Sequence, residues 1–212
     1  MKKNTGRFIT FEGPEGSGKT LQIKLLAGEF DRRGIPFTTT REPGGTAFGK
    51  EVREILLKNS GATREPVSEL LLYLADRYQH IHEVVQPALE RDEIVISDRY
   101  HDATLAYQGY ARGVDMELIG QFFDRLELLV PDTIIVFDID VEIALARARS
   151  RNLTSDQNHM GKFEAEEIDF HRKVREGYLD LASKNPDRYS VVNGSGTPEE
   201  VHKRIMEALE PF

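Results

Sequence analysis

The chain has 212 residues, of which 36 are Asp or Glu and 28 are Lys or Arg, for a formal charge of −8. A chain of this length can bury roughly 70% of its unfolded surface, so it needs no disulfide or metal to fold, and its acidity argues against a general binder of DNA or RNA. The absence of cysteine excludes a disulfide framework, a thiol nucleophile and thiolate metal sites. The basic start, Met1-Lys2-Lys3-Asn4-Thr5-Gly6-Arg7, leads into no signal-like apolar region before Glu12. No apolar run approaches the roughly 20 residues that span a bilayer. A soluble, cytoplasmic protein without membrane partners is expected.

Strand-like and helix-like periodicities alternate along the whole sequence. Residues 7–12 read as a short strand running into a glycine-rich turn, followed by a helix over 19–32 that Gly34 closes. A second strand is expected at 36–41, before the breaker Pro43-Gly44-Gly45, and helices at 48–57 and 66–89. Strands at 93–97, 133–137 and 188–192 alternate with helices at 101–110, 116–129, 141–149, 165–182 and 198–209. This pattern predicts an α/β fold with a mostly parallel sheet covered by helices on both faces. Continuous apolar runs such as Ile94-Val95-Ile96 suit strands buried on both sides. The polar stretch from about 149 to 163 is too short to be a domain and reads as a lid within a single domain of residues 1–212.

Gly13-Pro14-Glu15-Gly16-Ser17-Gly18-Lys19-Thr20 matches GxxxxGK[ST] between a predicted strand and a predicted helix, the context the phosphate-binding loop requires. Its backbone N–H groups and the helix N-terminus favour an anion. Lys19 is expected to reach the β- and γ-phosphates, and Thr20 to offer its hydroxyl to Mg²⁺. Two strands end in Asp and could supply the second metal carboxylate. Asp98 is preferred because Arg99 follows it directly, whereas Asp138 reads as part of a helix cap.

A phosphate loop does not by itself name a reaction. The guanine-reading NKxD of a GTPase is absent from the sequence, and its DxxG, Asp31-Arg32-Arg33-Gly34, falls at a helix end. A nucleic-acid motor would need more chain and a basic track. A compact phosphotransferase remains, and its acceptor site should include arginines. Arg41 and Arg99 follow predicted strands, Arg53 lies on the helix after the first of them, and Arg147, Arg149, Arg151 and Lys162 surround or occupy the lid. Of these, Arg147 is assigned to a solvated helix face. Tyr73 and Arg77 stand four apart on the 66–89 helix, at the edge of a core stripe of Leu70, Leu74, Ile81 and Val85.

The segments Phe8-Ile9-Thr10-Phe11-Glu12 with the phosphate loop, Thr40-Arg41-Glu42-Pro43-Gly44-Gly45, Asp98-Arg99-Tyr100 and Leu105-Ala106-Tyr107-Gln108-Gly109-Tyr110-Ala111-Arg112-Gly113 resemble the bacterial thymidylate kinases in order and spacing. The resemblance extends from about residue 7 to 209. It implies a three-layer P-loop fold on a five-stranded parallel sheet, transfer of the ATP γ-phosphate to dTMP with Mg²⁺, and a homodimer. It also implies that Tyr73 stacks on thymine, where relatives usually carry Phe, and that Arg77 bonds the base carbonyl. Arg53 and Arg99 would grip the monophosphate, Glu15 the sugar 3′-hydroxyl, and Thr104 and Gln108 the base edge. Tyr107 would pack near the 2′ carbon, and Ala103 replaces a frequent Ser. In the bacterial branch a lid cation completes catalysis. The usual Asp-Arg-x-Glu reads Gly161-Lys162-Phe163-Glu164 here, leaving Lys162, Arg149 and Arg151 as candidates. No general base is expected, since a phosphate acceptor is already largely dianionic near neutral pH; His80, His82, His101 and His171 are read as structural or surface residues. Another nucleoside or nucleoside monophosphate kinase, and a regulator that binds nucleotide without turnover, are the alternatives.

Overall fold

Five runs of β-branched and aromatic residues form one parallel sheet in the computed structural model, which describes residues 6–57, 64–154 and 166–209, the side chains of 151–154 excepted. The strands are β1 (Arg7–Glu12), β2 (Phe37–Arg41), β3 (Ile94–Asp98), β4 (Thr133–Asp138) and β5 (Tyr189–Asn193), in the order β2-β3-β1-β4-β5. The helices are α1 (Lys19–Arg33), α2 (Ala47–Leu57), α3 (Pro66–His80), α4 (Gln86–Glu90), α5 (His101–Thr104), α6 (Met116–Arg125), α7 (Val141–Thr154), α8 (Ile168–Lys184) and α9 (Pro198–Ala208). A π-helical segment, Ile81–Val85, joins α3 to α4, and a second, Leu105–Ala111, extends α5.

Alternation along the central strands divides the core into layers. Ile9, Phe11, Ile96, Ile135 and Phe137 pack with Ile23, Leu26 and Phe30 of α1 and Val201 and Ile205 of α9. On the other face, Phe8 and Val95 meet Leu70, Leu74, Ile81 and Val85, the stripe predicted from the sequence. Ile134 and Val136 meet Phe170, Val174 and Tyr178 of α8. Each buried aliphatic or aromatic side chain stabilises the fold by about 1.5–3 kcal/mol relative to exposure. The sheet can therefore hold its loops rigidly.

The predicted helices differ from the observed ones mainly at their ends. The helix expected over 116–129 stops at Arg125, because Glu127 takes φ 49° and the N–H groups of Glu127 and Leu128 bond back to Asp124 and Phe123. That is a Schellman-type stop built without glycine, so its usual sequence mark is missing. Conversely, α7 continues past Arg149 to Thr154, through the first part of the segment expected as a lid, since no Gly or Pro interrupts it.

Register sets the functional edge. Phe11 and Arg41 both pair with Asp98, and Asp138 pairs with Asn193, so the carboxyl ends of all five strands lie along one side. The order places β3 and β4 on opposite sides of β1, which makes the end of β1 a topological switch point where α/β sheets bind ligands.

Candidate active site

The loop from Gly13 to Thr20 leaves β1 at that switch point and enters α1. Gly16 has φ 75°, and a Cβ there would stand 2.0 Å from the Ala144 carbonyl oxygen on α7. Gly18, with φ 99°, is the N-cap of α1 and has open space around it. These two positions let the backbone curl against α7. Lys19 is buried, and its ammonium donates to the carbonyls of Gly13 (3.0 Å) and Pro14 (2.9 Å) and to Ser17 Oγ (3.2 Å). Burial pulls its pKa down to about 8.

The Thr20 hydroxyl donates to Asp98 Oδ2 at 2.8 Å. A hydroxyl and a carboxylate side by side at the mouth of the phosphate loop are hard oxygen donors, few in number. That suits Mg²⁺, which keeps several of its waters. The competing strand-end carboxylate, Asp138, is ion-paired with Arg175 at 2.6 Å. It is Asp140 rather than Asp138 that caps α7, accepting from the Ile143 N–H at 3.1 Å.

Arg99 follows Asp98 with φ 74°, which turns its side chain toward the loop. Its guanidinium donates to the Gly13 carbonyl (3.0 Å), to the hydroxyls of Tyr178 and Tyr107 (3.1 Å each) and to Glu15 (2.9 Å). Burial would lower its pKa, but Tyr107, Glu15 and other partners outweigh that and hold it well above the usual arginine value. Behind it, Tyr178 donates to Glu12 Oε2 at 2.9 Å while Glu12 Oε1 accepts the Tyr100 N–H at 2.7 Å. Burial, reinforced by Asp102, pushes the Glu12 carboxyl up to about 8.

One cleft of about 540 Å³ runs from the phosphate loop to the wall formed by α3 and the α5 region. It is lined by Glu15, Gly16, Gly18, Lys19, Thr20, Arg53, Tyr73, Arg77, Asp98, Arg99, Ala103, Thr104, Tyr107 and Gln108, all singled out from the sequence. Gly13, Pro14 and Ser17 complete the loop behind this lining. Arg53, on α2, donates to the Pro43 carbonyl at 2.9 Å, and burial depresses its pKa. Gln108 donates to buried Glu69 at 2.9 Å. Tyr73 is half-buried against the α8 layer, and burial raises its phenol pKa. Arg77 is only 1% exposed, far more enclosed than the edge of a helix stripe suggests.

Arg149 lies exposed on α7, apart from the cleft lining. The Arg151 side chain and Lys162 lie outside the described residues. Arg147, assigned from sequence to a solvated face, is exposed on α7 and also borders the cleft, donating to the Gly194 carbonyl at 3.3 Å. Sequence reading also missed Glu42, Glu12 and Tyr178. Of these, Glu42 and Glu12 stood in recognisable strings, directly before Pro43-Gly44-Gly45 and directly before the phosphate loop, and Tyr178 did not.

Sheet order, phosphate loop and the Thr20–Asp98 pair together define a P-loop phosphotransferase. A family model described as thymidylate kinase matches residues 11–205. Thymidylate kinase of Maridesulfovibrio salexigens is 48% identical over 200 residues, covering 93% of this chain and 92% of that one. Thymidylate kinase of Syntrophotalea carbinolica is 48% identical over 199 residues, with the same shares covered. A crystal structure of thymidylate kinase from Ehrlichia chaffeensis superimposes with a TM-score of 0.76 at 35% identity, over 97% of this chain and 99% of that one. The chain belongs to the thymidylate kinase family.

Proposed function

We propose that this protein transfers the γ-phosphate of ATP to dTMP, giving dTDP and ADP, as a soluble cytoplasmic enzyme. The observation that carries the reading is a single cleft in which a phosphate loop faces a second anion site built from Arg53 and Arg99. ATP phosphates lie along Gly13–Thr20, with Lys19 turning from the loop carbonyls to the β- and γ-oxygens. Arg147 and the neighbouring end of β5 border the side of the cleft left for the adenosine. Thr20 and Asp98 would hold Mg²⁺, Asp98 through water, and the ion when bound neutralises charge on the phosphates.

The acceptor phosphate is its own nucleophile, so the residues align and neutralise rather than abstract a proton. The planar fork of Arg99 suits phosphate oxygens better than a lysine would, and Arg53 approaches from α2. Glu15, already paired with Arg99, lies within reach of a sugar hydroxyl. Tyr107 stands against Arg99, its ring 4.9 Å from the guanidinium, where a 2′-hydroxyl would crowd it. Tyr73 offers a face to the base, and Arg77, Thr104 and Gln108 its polar edge. Arg149, Arg151 and Lys162 are the cations available from the lid to the transferring phosphoryl.

The outer face of α3 exposes Val67, Leu71 and Tyr78, aligned at helical spacing. Such a stripe favours a partner surface, and a second copy of the chain is the occupant this reading assigns. Sedimentation of the wild type should give a dimer that Leu71→Asp dissociates; a monomeric wild type removes the assignment. For the reaction itself, Lys19→Ala should abolish dTMP-dependent ADP release. Turnover retained in that variant rejects the mechanism.

A further inference from the structure

Arg77 is held by more of the protein than a base-contacting arginine needs. Its Nε donates to Glu42 Oε2 at 2.7 Å, one terminal nitrogen to Thr104 Oγ1 at 2.8 Å, and the other to the Tyr100 carbonyl at 2.9 Å. The guanidinium also lies over the Tyr100 ring, 5.2 Å from its centre. An arginine has five N–H donors and no acceptor. With three taken, two are left on a group that lines the cleft and whose plane is fixed.

The fixing comes from Glu42. Its other oxygen meets His80 Nδ1 at 2.8 Å, and His80 Nε2 meets Thr40 Oγ1 at 2.6 Å. The relay Thr40–His80–Glu42–Arg77 thus ties the end of β2 and the following turn to α3, and its three charged or titratable members are essentially solvent-free. An isolated buried carboxylate would be costly, whereas one that receives an arginine and a histidine has both oxygens satisfied. Arg77 and His80 together hold Glu42 below the usual carboxylate range despite its burial. The Glu42 N–H also donates to the Asp98 carbonyl at 3.0 Å, so the turn is anchored on β3 as well.

We propose that Glu42 is the positioning residue for pyrimidine selection: it locks Arg77 so that a donor-only edge faces position 4 of the base. A 4-oxo group accepts from that edge, whereas the 4-amino group of cytosine presents a donor against it. Discrimination then comes from an arginine unable to swing away, because a mobile guanidinium would yield to the amino group at little cost. Glu42 also borders the cleft, but both its oxygens are taken by Arg77 and His80, so it acts through the arginine. The inference rests on Arg77 being the base-facing residue.

The test compares Glu42→Gln and Arg77→Lys in steady-state kinetics with dTMP, with dCMP and with varied ATP. Loss of a buried charge-assisted hydrogen bond should raise the KM for dTMP by about 10- to 100-fold in Glu42→Gln. That rise should exceed any fall in kcat, the KM for ATP should stay unmoved, and the dTMP-to-dCMP ratio of kcat/KM should shrink by a similar factor. A merely structural role would instead depress turnover with both acceptors alike and shift the KM for ATP. If Arg77→Lys loses discrimination while Glu42→Gln keeps it, the Glu42 inference is overturned and the reading of Arg77 survives. If Arg77→Lys keeps discrimination, both fall. Should Glu42→Gln fail to fold, His80→Gln probes the same carboxylate from its other oxygen. A smaller loss of the same kind supports the proposal, and an unchanged dTMP KM overturns it.

Discussion

The phosphate loop touches α7 so closely that adding one methyl group should separate two kinds of damage. Alanine at Gly16 or at Gly18 must adopt a positive φ, 75° or 99°, at a cost of about 1–3 kcal/mol in each case. At Gly18 no protein atom lies within 4 Å of the new Cβ, so the folded chain meets only that strain. At Gly16 the Cβ would be 2.0 Å from the Ala144 carbonyl oxygen, where real contacts begin at 3.0 Å, so loop and helix must part by 1.0 Å. A shift of that size in a group that aligns reacting phosphates costs on the order of 100-fold in rate. Thermal melts should therefore show both variants destabilised, by roughly 2–4 °C per kcal/mol for a chain of this size. Coupled ADP-release kinetics should show Gly16→Ala losing about two orders of magnitude in kcat, and its melting temperature should fall further than that of the alanine variant at Gly18. Equal melting temperatures in the two variants would refute the close-approach argument.

Three further outcomes follow from named groups. Lys19 carries its charge below a pKa of about 8 and loses it above, so kcat/KM for ATP, which reports the free enzyme, should decline as pH rises through that value; a profile flat to pH ~10 contradicts this. Glu12 is raised from 4.5 to about 8, so the folded state binds its proton more tightly and stability is lost as pH climbs through that window. Glu12→Gln should accordingly melt progressively higher than the wild type between those pH values, and a margin independent of pH would be inconsistent with it. Asp98→Asn should raise the Mg²⁺ concentration for half-maximal rate about tenfold or more, as loss of an outer-shell ligand does. An unmoved Mg²⁺ titration would remove Asp98 from the metal site.

Local signals made the fold and the phosphate side of the cleft legible. The period-two and helical patterns, the glycine-rich turn and a strand ending in Asp98-Arg99 each act over a few residues. Buried charge was harder to read. Glu42 and Arg77 are 35 residues apart, and Glu12 and Tyr178 are 166 apart. A fully enclosed Glu or Arg has the same composition signature as a solvated one, and only the fold brings its partner into contact. Arg147 is exposed, as its charged helix suggests, but the pattern alone does not say that this side of the helix borders the cleft. Net charge misled least where it was read locally. The chain is acidic as a whole, yet Lys19, Arg41, Arg53, Arg77, Arg99 and Arg147 all line the same cleft.

The central claim, phosphorylation of dTMP by ATP, is tested most directly by ADP release measured with dTMP, dUMP, dCMP and thymidine side by side at equal concentration. Rapid turnover is expected with dTMP, slower turnover with dUMP, which lacks the 5-methyl group, and little with dCMP or with thymidine, which lacks the nucleophilic phosphate. Turnover with dTMP no better than with the other three would contradict it.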